Sequence, residues 1–285
     1  MRSGVIVARH VLQESVRRRV FLVVLVLSLL FVGLFTFATI AVFHDLSSFQ
    51  TGTTGTLDAR GVVSSTLLGL GMFATLFLGA VLAVFLTLGA VRGDAERGLL
   101  QPLVVRPVGR GALLGARFAA ASLVCALYVL LLYAVVVVVV RVAGHRWPDR
   151  LVGPGLALAA AVVVIVAISL LGSVFLSSTA NGIAVFMVFG AGLTAGLITT
   201  IGVALDNHTL KTISHWMTRA LPFEALYQAG LHALTADQTG FTGALVQLGP
   251  FGSSRAGGVG LDLWTLGYVV VVGAVALWGF SRRDL

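Results

Sequence analysis

The residues with the most chemical character gather in one short stretch, from Arg92 to Arg117. Asp94 and Glu96 stand where a short helix would begin, and carboxylates there complement the partial positive charge of a helix N-terminus. Arg97 and Gly98 follow, then Leu99, Leu100 and Leu103 supply an apolar face. Pro107 stops the helix, Gly109 and Gly111 permit a turn, and Arg106, Arg110 and Arg117 flank the exit. An amphipathic helix with charged ends is suited to docking a partner, and its plain alternative is an ordinary loop. Catalytic constellations are missing. His10, His44, His145, His208, His215 and His232 are scattered, with no H-E-x-x-H and no G-x-S-x-G. A phosphate-binding G-x-x-x-x-G-K-[ST] loop needs Gly beside Lys, but Lys211-Thr212 is preceded by Leu210 and is the only Lys-Ser/Thr pair. Cys125 is the single cysteine, so neither an intrachain disulfide nor a Cys-based metal site can form.

The elements that must carry this stretch are membrane helices. Of 285 residues, 58 % are hydrophobic and 11 % charged, against roughly 25 % charged in soluble domains. Mean hydropathy is +1.02. These values exclude a soluble enzyme, a disordered chain and a coiled coil. Six segments reach the ~20 apolar residues a bilayer crossing requires: 20–43, 62–91, 118–140, 156–176, 180–205 and 263–280, the last being the shortest. The net charge of +8 sits beside these spans, as membrane topology demands, so nucleic acid is not the expected partner.

Arg2, Arg9, Arg17, Arg18, Arg19, the five arginines of the 92–117 segment, Arg282 and Arg283 all fall on one side, densely spaced. That side is predicted to be the cytoplasm, with both termini on it. In residues 1–19, Val5, Ala8, Val11, Leu12 and Val16 share a helix face opposite His10, Gln13, Glu14, Arg17 and Arg18. This predicts an interfacial amphipathic helix, the alternative being a simple basic flank. Within the spans no Asp, Glu, Lys, Arg or His occupies an interior position, which argues against an ion relay. Small residues recur instead: Gly71, Thr75, Gly79 and Ala83 in the second span, and Gly192, Gly196 and Thr200 in the fifth. Such stripes admit close helix approach and can face a helix of the same chain, a second subunit or a substrate path. The third span's Val135–Val140 run suits lipid. Residues 206–260 form a long segment predicted to be external, with short amphipathic helices near Leu210–Met217 and Phe223–Leu234 and a Gly/Ser-rich linker from Gly249.

The 92–117 stretch resembles the permeases of type-2 ABC (ABC-2) transporters, whose signature runs roughly E-x-G-T, an apolar pair, P-x-x-R, apolar residues and G-K. Glu96, Gly98, Leu103, Val104, Pro107, Arg110, Leu113 and Leu114 match it; Leu99 stands in place of Thr, Pro102 is extra, and Ala116-Arg117 replaces Gly-Lys. Leu221-Pro222-Phe223-Glu224 is similar to the outer segment of permeases like the membrane subunit of the nitrous-oxide-reductase maturation transporter.

The resemblance implies an all-α type V exporter fold forming one transmembrane domain over 1–285, with residues 1–19 as interfacial helix and 92–117 as coupling segment. It implies that Asp94, Glu96, Arg97, Gly98, Leu103, Pro107 and Arg110 couple to a separate cytoplasmic ATPase, two copies of which carry ATP and Mg²⁺. This chain is expected to bind no cofactor and to have no enzymatic site of its own. A second permease chain, with the two stripes at the dimer interface or translocation path, and an extracytoplasmic partner are the other expected associates. The expected location is a bacterial or archaeal cytoplasmic membrane, and the expected direction is export. Competing readings are a passive channel or secondary transporter, and a membrane enzyme or anchor for an external assembly factor.

Overall fold

A computed structural model of the chain describes residues 19–49, 59–88, 110–144, 151–235 and 256–282. Among the described residues the chain is helical, without strands: α1 (Arg19–Phe49), α2 (Ala59–Thr87), α3 (Arg110–Gly144), α4 (Val152–Phe175), α5 (Ser178–Ala204), α6 (His208–Ala220), α7 (Pro222–Thr235) and α8 (Val259–Ser281). Six of these, all but α6 and α7, are long and apolar enough to cross a membrane. The last is 23 residues long, more than its apolar run alone suggests, because Val259 to Asp262 extend it. The third helix begins at Arg110, so the end of the 92–117 connection is already helical. Ala112, Leu113, Leu114 and Ala116 are strong helix formers, and they outweigh Gly111 and Gly115.

At the centre stands α4, which packs against α2, α3, α5, α7 and α8. Its sequence of Ala, Val, Leu and Ile contains no charge, so it can be buried on nearly every side, and Leu158, Val162, Ile165, Val166 and Val174 are enclosed. The second helix is the other core element, with Met72, Leu76, Leu82 and Val84 fully buried. Polar side chains tie the helices where neither partner can reach water. Thr87 and Ser169 hydroxyls meet at 2.5 Å between α2 and α4, and Asn181 Nδ2 donates to the Ser169 carbonyl at 3.0 Å from α5. On the periphery, α1 is held to α3 by Ser28 and Tyr128, 2.5 Å apart. Leu22, Leu29, Leu30, Leu34 and Phe37 on α1 are exposed.

The Val135–Val140 run does not all face outward. Val135 and Val138 are exposed, whereas Val136, Val137 and Val140 are buried. A helix turns about 100° per residue, so six consecutive valines must sample every direction.

Between α5 and α8 the chain doubles back. The αL residue Asp206 (φ 47°) closes the end of α5, and Asn207 N–H reaches back to the Gly202 carbonyl at 3.0 Å. Asn207 then caps α6, its side chain accepting from the Thr209 and Leu210 N–H groups. Leu210 lies against Gly202, so α6 runs back along α5. Pro222 occupies the first position of α7, where its missing N–H costs nothing. The helices α6 and α7 have 13 and 14 residues, too few for a crossing.

Candidate functional site

The pair α6–α7 is a helical hairpin whose second helix packs among the long helices. Phe223, at the start of α7, fills the space over Gly192, midway along α5, and stacks on Phe189 with ring centroids 5.7 Å apart and planes at 11°. Farther along α7, Ala229 abuts Gly257 just before α8, and Gly230 adjoins Pro154 at the start of α4. Six residues of helix separate Phe223 from Ala229, a span of about 9 Å. The head of α7 lies against the middle of α5, and its tail against α2 at Gly69 and Met72 and the start of α4. The sequence predicts a helix here but assigns the whole of residues 206–260 to the exterior. Phe223, Leu226, Tyr227 and Leu231 form one apolar face, and that face is buried among α2, α4 and α5.

Both small-residue stripes are occupied by this same chain. Over Gly71 lie Val136 of α3 and Phe35 of α1; over Gly79 lie Val129 of α3 and Val162 of α4. Thr75 returns its hydroxyl to the Gly71 carbonyl at 2.7 Å, and Ala83 is fully buried. On α5, Gly192 accommodates Phe223, and a Cβ at Gly196 would stand 2.5 Å from Glu224 Oε1 and 3.2 Å from Gln228 Nε2. Thr200 lies on the same helix. The stripe of α2 is thus the seam for α3 and α4, and that of α5 is the seat of α7. Gly71, Gly79, Gly192 and Gly196 are each covered by side chains of this same chain.

Through α7 the protein places a polar group in its interior that the spans themselves lack. Glu224 and Gln228 are 1 % exposed and Tyr227 is fully enclosed. Gln228 Nε2 donates to Glu224 Oε1 at 3.2 Å. The predicted spans hold no Asp, Glu, Lys, Arg or His in their interior, but the layer they form encloses Glu224. The available signals were the Pro at a helix start, the Glu and Gln four residues apart, and apolar residues at 223, 226, 227 and 231, all on a segment too short to register as membrane-inserted. At the other end of the hairpin, Asp206 bonds Lys211, and the Lys211 ammonium holds its carboxyl below the usual range. Trp264 of α8 donates to the Arg219 carbonyl at 3.0 Å, tying the hairpin to α8.

Asp94, Glu96, Arg97, Gly98, Leu103 and Pro107 lie outside the described residues, as does the predicted interfacial helix up to residue 18. Arg110 is the first residue of α3. Among the described residues no three His, Cys, Asp or Glu side chains gather into a metal-holding group. A family model described as ABC-2 family transporter protein matches residues 5–285. No curated protein matches the chain.

Proposed function

The chain belongs to the ABC-2 transporter family and is a membrane permease subunit of an ABC transporter, and from this we propose that it is one half of an exporter driven by separate cytoplasmic ATPase subunits. The match over residues 5–285 carries this reading. Two sequence features support its finer parts. The chain has no phosphate-binding loop, so ATP and Mg²⁺ belong to a partner. Its 92–117 segment holds the acids, apolar residues and Pro stop of a docking helix, with Asp94, Glu96, Arg97, Gly98, Leu103, Pro107 and Arg110 as the coupling residues. In this reading ATP binding draws two ATPases together and tilts the attached helices.

Two copies of the permease pair through α2 and α5, on their uncovered sides rather than their small-residue stripes. Leu70, Phe77 and Phe85 of α2 and Ile183, Met187, Leu197 and Ile201 of α5 are exposed, and the two helices meet through Phe77 and Phe189, 6.0 Å apart. The hairpin then lies at the extracytoplasmic end and closes it, moving with α5 when α2 tilts. Both termini are cytoplasmic, and the membrane is the cytoplasmic membrane of a bacterium or archaeon.

The test is co-purification with the candidate ATPase and ATP hydrolysis in membranes. Glu96→Lys reverses a charge in the docking segment and is expected to reduce capture, since removing one partner of a buried interfacial charge pair costs roughly 2–5 kcal/mol. Retention of both signals in the variant removes Glu96 from the coupling role. Failure of the wild-type chain to bind any ATPase overturns the reading.

A further inference from the structure

The polar cluster on α7 has no part in the coupling scheme. Glu224, Tyr227 and Gln228 share one helix face by their spacing of three and four residues. Beyond the single hydrogen bond from Gln228 to Glu224 Oε1, Glu224 Oε2 and Tyr227 Oη are buried without a partner. Among the described residues, no charge on the helices packed against α7 is placed to balance a carboxylate. The helices α4 and α5 contain no titratable residue. The only one on α2 is Arg60, in its first turn, while α7 meets α2 at Gly69 and Met72. On α8 stand Asp262 and Tyr268; on α6, His208, Lys211, His215 and Arg219; on α7 itself, His232. Among the described residues none of these pairs with Glu224.

A carboxylate enclosed with one hydrogen bond and no counter-ion among the described residues carries a large desolvation cost. The neutral acid removes that charge. It also gives Oε2 a proton to donate. We propose that Glu224 is a proton-binding site whose proton latches the α6–α7 hairpin onto Gly196 of α5. Loss of the proton to entering water leaves a carboxylate that must be hydrated, and α7 lifts from α5 to admit that water. The inference depends on the fold alone and not on the source of energy for transport.

Spin labels on cysteines replacing Trp216 of α6 and Val270 of α8, both exposed, report the hairpin's distance from the bundle in a Cys125→Ala chain reconstituted in lipid nanodiscs. In wild type the ratio of lifted to seated populations is expected to rise by about tenfold per pH unit until it saturates, as release of one proton requires. Glu224→Gln, a neutral isostere, is expected to stay seated at every pH. His208, His215 and His232 are present in both proteins, so a pH curve shared by wild type and Glu224→Gln overturns the proposal, as does a wild-type distance that never changes. Should Glu224→Gln fail to assemble, Glu224→Asp decides. The slope should persist with a displaced midpoint, and an unmoved midpoint overturns the assignment. The infrared carbonyl stretch of a protonated carboxyl should fade along the same wild-type curve, and its absence throughout is equally fatal.

Discussion

Gly196 and Gly190 lie on one helix yet face different surroundings. A methyl group on Gly196 would collide with Glu224 and Gln228, whereas one on Gly190 meets nothing within 4 Å. Gly196→Ala is therefore expected to lower stability by about 1–3 kcal/mol, and Gly190→Ala to raise it by up to ~1 kcal/mol, the helix-propensity gain of Ala over Gly, both read from thermal unfolding in detergent. Asn181 offers a second test. Its Nδ2 bond to Ser169 joins α5 to α4, and interhelical hydrogen bonds in membrane proteins contribute on the order of 0.6–1.7 kcal/mol. Asn181→Ala should lower the melting temperature accordingly. At this scale the sequence identifies where backbones approach, because small residues four apart must share a helix face. It does not identify what fills the gap: Gly192 and Gly196 await Phe223 and Glu224 from a segment about thirty residues on.

Among the elements, α7 is held by its apolar face, and Phe223 is its deepest anchor, fully buried and stacked on Phe189. Phe223→Ala should cost roughly 3–5 kcal/mol and free the hairpin for proteolysis, while Leu266→Ala, on the exposed side of α8, should leave the protease pattern unchanged. Limited digestion of the purified protein separates the two outcomes. The six long helices are legible because a run of apolar residues of that length has few other uses. The two helices of the hairpin are legible as short amphipathic segments, but their packing is not, since 14 residues with an apolar face describe a surface helix as well as a buried one, and only the partners on α2, α4 and α5 decide between them.

For the molecule as a whole, the arginine distribution assigns the Ser177 turn to one side and the Asp206 turn to the other. A cysteine at His208, which is exposed, should react with an impermeant reagent in intact cells, and one at Ser177, also exposed, only after lysis. The opposite pattern reverses the topology. The position of α7 also bears on how the protein is made. Spans emerge from the ribosome in order, and α2, α3 and α4 are complete by residue 175. Their shared core still lacks Phe223, Leu226 and Tyr227, which belong to the same buried cluster. Until about residue 235 has been synthesised and the hairpin has been pushed back between helices already in place, α4 stands with an open flank. Insertion into the bilayer and completion of the fold are thus separate events. A nascent chain halted after α5 should be fully integrated yet unfinished, a client for whatever shields half-packed helices in the membrane.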